Sequence, residues 1–182
     1  MNPAQVAAGL SHRQVQARII LTALPALVLV GLGAWFVLVK AERQPLEAAA
    51  AVVLAAKWLV VPAMALLAGV TFVEVWRFTH ADDVSGSPET ASHTLEIALR
   101  YNRNTLEQAL LASAAWLGLA ASWPELVSTG LPILGALFVA GRGIFWAGYQ
   151  AANWARACGF AMTMAPTAIL LVAEMLHLVE LI

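Results

Sequence analysis

Residues 99–108 read LRYNRNTLEQ, and from Leu110 the chain runs apolar to Trp123. On a helix, Arg100, Asn104 and Glu107 fall at i, i+4 and i+7 and share one face. Two guanidinium groups, an amide and a carboxylate at the mouth of an apolar helix are costly to keep beside lipid. Such groups usually mark a site or a partner. The simpler account, long cations that snorkel to the membrane surface, suits Arg103, which points off the shared face. It suits the shorter Asn104 and Glu107 less well.

The surrounding composition makes that helix one of several in a membrane. The chain has 182 residues, of which 61% are hydrophobic and 12% charged. Soluble domains carry about 45–50% apolar and about 25% charged residues. The length suits one all-α polytopic bundle. A formal net charge of −1 gives no basis for nucleic-acid binding. Cys158 is the only cysteine, so no intrachain disulfide can form, and the tryptophans suit anchoring at the interfaces.

Working outward, five spans are expected. Residues 19–39 are too long for a secretory signal and lack a cleavage site after them, so they read as a retained helix with Pro25 near its start. A polar link at 44–47 leads to a second span at 48–75 containing Lys57 and Pro62. Residues 74–92, with His80, Asp82, Asp83, Gly86 and Pro88, read as an exposed loop. The third span starts near Ser92 or Thr94 and stops at Trp123-Pro124-Glu125. The fourth covers 126–149, with Pro132 near its start, and the fifth 157–182, with Pro166 inside it. Arg13, Arg18, Arg77, Arg100, Arg103, Arg142 and Arg156 fall on one side, against Lys40 and Arg43 on the other. By the positive-inside rule the N-terminus is cytoplasmic, the C-terminus outside, and the polar stretch opens to the cytoplasm.

A second series follows the first. Arg142, Tyr149 and Arg156 come at steps of seven residues, so Arg142 and Tyr149 project from one face of the fourth span near its end. They lie at the expected depth of Arg100. LRYNRNTLEQ, then GRGIFWAGY at 141–149, then Arg156 resembles the MAPEG family, the membrane-associated proteins in eicosanoid and glutathione metabolism, over residues 48–182. The resemblance implies a four-helix protomer and a homotrimer. It also implies glutathione bound between protomers near the cytoplasmic face, with lipophilic substrates entering from the bilayer. Arg100, Asn104 and Glu107 match its third-span signature, and Arg142 and Tyr149 match the next span. Arg156 resembles the arginine that stabilises the glutathione thiolate. Asn102 stands where some members have a ligand-binding glutamine, and Arg77 resembles a loop arginine reaching a glutathione carboxylate. Phe145 and Gln108 depart from tyrosines of other members, and the helix at 19–39 precedes the family's first. The chain therefore divides into an N-terminal unit at 1–47 and a MAPEG-like unit at 48–182.

The chemistry agrees with that likeness. Glutathione carries two carboxylates and one ammonium, complementary to several arginines and one glutamate, and arginine's fork gives a carboxylate two parallel hydrogen bonds. The expected activity is transfer or peroxide reduction on a lipophilic electrophile or lipid hydroperoxide in a bacterial inner membrane. Arg156 and Tyr149 are the expected catalytic pair. The alternative is a non-catalytic lipid-binding or accessory subunit whose helix at 19–39 docks another membrane protein. A transporter using Lys57 and Arg142 lacks the paired broken helices such paths need. His80 with Asp82 and Asp83 offers too few metal ligands. Glu174-x-x-His177 is one di-iron element where two are needed. Cys158 reads as a small packing residue.

Overall fold

The computed structural model describes residues 11–43, 46–84, 91–152 and 154–180. The polar lead before Ser11, Gln44 of the expected link, and Gly86 and Pro88 of the long loop lie outside them. Every main element is helical. They are α1 (His12–Trp35), which widens into a π turn at Phe36–Lys40, α2 (Ala48–Trp58) and α3 (Val60–Thr79). After them come α4 (His93–Ser122), α5 (Val127–Ala151) and α6 (Ala157–Glu180).

The local sequence explains each boundary. Ser11 and Gln14 form a reciprocal capping box at the head of α1. Pro62 has no N–H for the carbonyl of Trp58, so the second span breaks at Leu59 into α2 and α3. Beyond Val75, where the loop was expected to begin, α3 continues to Thr79. The Thr79 hydroxyl donates to the carbonyls of Val75 and Trp76, and the Trp76 and His80 rings stack at 3.7 Å. Ser92 caps α4, and Pro124 ends it through the short 3-10 turn Pro124–Leu126.

Among the described residues, four helical segments are long and apolar enough to cross a membrane: His12–Lys40, Ala48–Thr79, Pro124–Ala151 and Ala157–Glu180. The expected third span, α4, is not among them because Glu96, Arg100, Arg103 and Glu107 occupy its first half. It is nonetheless the central helix, packed against α2, α3, α5 and α6. Its contacts in the main core use small residues. Ala112, Ala115 and Ala120 meet Ala51 and Ala55 of α2, while Trp116 packs edge-on against Phe138 at 6.2 Å. Small side chains allow the close backbone approach that holds helices together where lipid supplies no hydrophobic drive. Outside the core, α1 lies along α6 with Ala26 and Val30 buried. Its other face, with Leu21, Val28 and Leu32, is exposed.

Candidate functional site

The site is built where the cytoplasm-facing ends of the spans were expected to converge. Its first anchor lies between α3 and α4. Asp83 is 3% exposed and accepts from the Ser92 backbone N–H at 2.8 Å, the Ser92 hydroxyl at 2.6 Å and the Trp76 indole at 2.8 Å. These donors, the Ser92 hydroxyl foremost, hold its carboxyl below the ordinary value of 3.8. The clamp fixes the start of α4. Both Asp83 oxygens are thus taken up in folding, which is a structural role for a residue weighed above as a metal ligand.

About three turns into α4, Asn104 faces α5 and accepts from Arg142 Nη1 at 2.8 Å. Arg142 is 2% exposed. Its Nη2 donates to the Thr163 hydroxyl of α6 at 2.7 Å, and its guanidinium lies 4.6 Å from the Phe145 ring centroid. Arg142 therefore braces three helices. Two glycines make this geometry available. A Cβ at Gly159 would strike the Gly141 carbonyl and the Phe145 backbone, so α5 and α6 cross backbone to backbone. A Cβ at Gly148 would come within 2.5 to 2.7 Å of the Ala155 and Arg156 backbone, so only glycine lets the turn bring Arg156 back beside α5.

Arg156 Nη1 donates to the Tyr149 hydroxyl, and its guanidinium sits 4.7 Å from the Tyr149 ring and 6.0 Å from the Phe145 ring. It lines a cavity of about 330 Å³ together with Ile19, Asn104, Phe145, Ala157 and Phe160. Apart from Arg156 and Asn104, the lining residues are apolar. Arg156 also caps α6, its carbonyl accepting from the Phe160 N–H at 3.0 Å.

The structure brings Asn104, Arg142, Tyr149 and Arg156 together, with Asn104 and Arg156 on the cavity wall, and leaves the other expected residues apart from this group. Arg100 pairs with Glu96 at 2.5 Å, and Glu107 pairs with Arg103 at 3.4 Å, both pairs on the exposed side of α4. Arg103, set apart from the polar face by its helical angle, is thus the partner of Glu107. Asn102 packs against Gly69 of α3, where a Cβ would strike its Oδ1, and that buried oxygen has no partner among the described residues. Arg77 lies in an open hollow with Glu74, Phe78 and Val84, its Nε buried and unpartnered there. Lys57 is exposed on α2, apart from Arg142. At the opposite end, Glu174 accepts from the Ser122 hydroxyl at 2.8 Å and His177 lies against Trp123.

Sequence reasoning missed Ala157 and Phe160 of the cavity wall and two further contributors. Thr163 continues the seven-residue step of Arg142, Tyr149 and Arg156, and that extension was the available signal. Ile19 reaches the cavity from α1, which no local pattern announces.

The molecule is a membrane helical bundle with an arginine and an amide facing a largely apolar cavity near one end. The chain belongs to the MAPEG family, whose model matches residues 48–176 and leaves α1 outside. No curated protein and no solved structure gives a match to the chain.

Proposed function

We propose that this protein is a glutathione-dependent membrane enzyme acting on a lipophilic electrophile or lipid hydroperoxide. The observation that carries the proposal is Arg156, braced by Tyr149, facing the cavity that Asn104 also lines. Family membership supplies the chemical setting. Arg156 would hold the glutathione sulfur as the thiolate, the nucleophilic form. The Tyr149 hydroxyl accepts from Arg156 and so fixes the guanidinium plane. Arg142 keeps Asn104 turned toward the cavity. The thiolate then forms a carbon–sulfur bond with an electrophilic carbon while the carbon–oxygen or carbon–leaving-group bond breaks and the departing atom takes up a proton. Alternatively it attacks a hydroperoxide oxygen, releasing the alcohol and leaving a glutathione sulfenic acid that a second glutathione converts to the disulfide and water.

The same reading assigns five spans, α4 being the polar central one. It puts the N-terminus in the cytoplasm of a bacterial inner membrane and joins three copies into a homotrimer. In that assembly Arg100, Glu107, Asn102 and Arg77, which lie apart from Arg156 in one chain, would meet ligand bound between neighbouring copies. Family membership and the exposure of Arg100 and Glu107 on the outer side of α4 favour this. Residues 1–47 form the addition and 48–182 the enzyme unit.

Calorimetric titration of the purified protein with glutathione tests the binding step. Saturable heat that weakens in Asn104→Leu and Arg77→Ala is expected. No heat at millimolar glutathione, from a preparation that elutes as a folded species, would overturn the proposal. A second reading, an accessory lipid-binding subunit, draws on the exposed outer face of α1 and its place outside the family match. It predicts a stoichiometric membrane-protein partner that is lost on deleting α1. A mild-detergent pull-down returning this chain alone would dismiss it.

A further inference from the structure

The Arg156 cavity has one wall that the family unit does not supply. Asn104 of α4, Phe145 of α5 and Arg156, Ala157 and Phe160 at the head of α6 form most of it, and Ile19 of α1 closes it. The family match starts at residue 48, so this wall is an addition. It is also thin. Ile19 is 41% exposed, so its side chain has the cavity on one side and the outside of the bundle on the other. The residues around it, from Gln16 to Leu21, are exposed as well. Close packing begins at Ala26, which is fully buried, about 10 Å further along the helix. Val30 is buried next, and a Cβ at Gly33 would lie 3.1 Å from Ile133 of α5. Thus α1 is wedged from Ala26 onward and only lightly held before it. The boundary falls at a break in the backbone ladder. Pro25 precedes Ala26 and has no N–H for the Leu21 carbonyl. Thr22 turns its hydroxyl onto the Arg18 carbonyl at 2.5 Å, a back-bond that bends helices. On the lightly held side, Arg18 lies over the Trp154 ring at 5.3 Å. Trp154 stands two residues before Arg156 in the α5–α6 turn.

We infer that the first turns of α1 are a side door to Arg156, hinged at Thr22–Pro25 and latched by Arg18 on Trp154, with Ile19 as the stop whose bulk sets the size of molecule that passes. The parts fit one another. A hinge needs a missing ladder bond beside a fixed element, and Pro25 next to the buried Ala26 supplies both. A latch must release readily. Arg18 is exposed, and an exposed cation–aromatic pair shifts an equilibrium only about two- to fivefold. A stop must touch the cavity, and among the described residues of α1 Ile19 is the one on its wall. The lever is long enough to matter. Ile19 lies about 9 Å from Pro25 along the helix, so a swing of about 20°, an ordinary proline kink, moves it by about 3 Å. That is comparable to the thickness of an aromatic ring. Ile19 is therefore a specificity-determining residue that selects by girth. The door deepens the proposed function, since it says what limits access to Arg156, and it rests on that reading only for the identity of the molecule admitted.

Thiol modification tests the door. Cys158 is the only cysteine, so Cys158→Ala combined with Ala157→Cys leaves one thiol, on the cavity wall of the full chain. Its rate is measured in phosphatidylcholine nanodiscs with methyl and with benzyl methanethiosulfonate. The control is Gln150→Cys in the same Cys158→Ala chain, an exposed position at the end of α5. The benzyl reagent should be disfavoured at 157 relative to 150. Arg18→Ala should raise the benzyl rate at 157 about two- to fivefold and leave the rates at 150 unchanged. Arg18→Gln removes the same charge should the alanine variant fold poorly. Pro25→Ala, which restores the missing N–H at an exposed position, should slow the benzyl reagent at 157. Ile19→Ala should bring the benzyl-to-methyl ratio at 157 close to that at 150. Unchanged rates in folded Arg18→Ala and Ile19→Ala, or an equal rise at 150, would overturn the proposal. So would a parent chain in which the benzyl reagent reaches 157 as readily as 150, since the cavity would then open by another route. Glutathione heat is measured on the same door variants with Ala157 and Cys158 in place. Rates that follow the door without that heat would sink the thiolate reading alone, and heat with rates indifferent to the door would sink this one alone.

Discussion

Replacing Arg156 with alanine gives the sharpest test of the chemistry, because its size follows from the cavity. A unit charge about 4 Å from the sulfur, at an effective dielectric near 20, contributes about 4 kcal/mol. At about 1.4 kcal/mol per pKa unit this is a ceiling near three units, and desolvation of the thiolate reduces it toward two. A thiol that ionises near 8.5 in water would then ionise near about 6.5 when bound. The α6 N-terminus, which begins at the cavity-lining Ala157, supplies a smaller field of about 0.3–1 kcal/mol that survives the substitution. Arg156→Ala should therefore move the bound midpoint up to about 8. At pH 7 the ionised share should fall from about three quarters to about a tenth. Thiolate ultraviolet absorbance at saturating glutathione, titrated from pH 5 to 9, reads this directly. S-methylglutathione binding, which involves no ionising sulfur, separates lost affinity from lost activation. Arg156→Lys should recover more than half of the shift, since it keeps the charge and loses only the fork. Equal midpoints in the wild type and Arg156→Ala, with ligand bound in both, would refute the assignment of the thiolate to this arginine.

Other predictions follow from neighbouring contacts. Arg142→Leu removes the donor shared by the Asn104 amide and the Thr163 hydroxyl, the latter keeping its bond to the Phe160 carbonyl at 3.1 Å, and should cost about 1–3 kcal/mol; thermal unfolding in detergent checks this, and an unchanged melting point would remove its bracing role. Gly148→Ala places a Cβ against the Arg156 backbone and should raise the bound thiol midpoint while leaving S-methylglutathione binding nearly intact; an unmoved midpoint would show that the turn does not set the arginine. Asp83, whose carboxyl is held below its ordinary 3.8, stabilises the α3–α4 clamp above about pH 4, and that contribution is lost as pH falls through its lower folded value. Protection of the Ser92 amide, measured against its intrinsic exchange rate at each pH, should therefore hold from pH 7 to about 4 and fall below, and in Asp83→Ala it should be lost throughout; retained protection in that variant would mean that the clamp lies elsewhere.

How much of this was legible in the chain depends on the range of each interaction. Helix ends were, because caps and breakers act over three or four residues: Ser92 and Pro124 are read locally. The end of α3 was not, because Thr79 and the Trp76–His80 stack extend the helix into a polar stretch that looks like loop. The heptad of Arg142, Tyr149 and Arg156 was legible as spacing. The division of labour within it was not, since that depends on Thr163 and Asn104 arriving from two other helices. The polar face of α4 was legible as a face. Its separation into an inward Asn104 and outward Arg100 and Glu107 depends on where α5 packs, and a helical wheel carries no such information.

The cations near this end of the bundle therefore divide by what already occupies them. Arg142 is committed to Asn104 and Thr163 and is almost wholly buried, so recruiting it to a ligand would require breaking bonds that hold α4, α5 and α6 together. Arg100 and Arg103 hold exposed carboxylates on α4, pairs worth little in water, and can exchange them for a ligand carboxylate at small cost. Arg156 takes its Tyr149 hydrogen bond at the edge of an open cavity, where its guanidinium lines the wall beside Asn104. A thiolate arriving there meets a cation already oriented, in apolar surroundings that weaken the competing pull of water. On this argument Arg142 acts through the fold, Arg100 through affinity and Arg156 on the sulfur. Alanine at the three positions should accordingly separate into a stability defect, a binding defect and a shifted thiol titration. If all three variants instead lost binding alike with unchanged stability, the arginines would form a single ligand cage, and the bracing role drawn from the Arg142 contacts would be wrong.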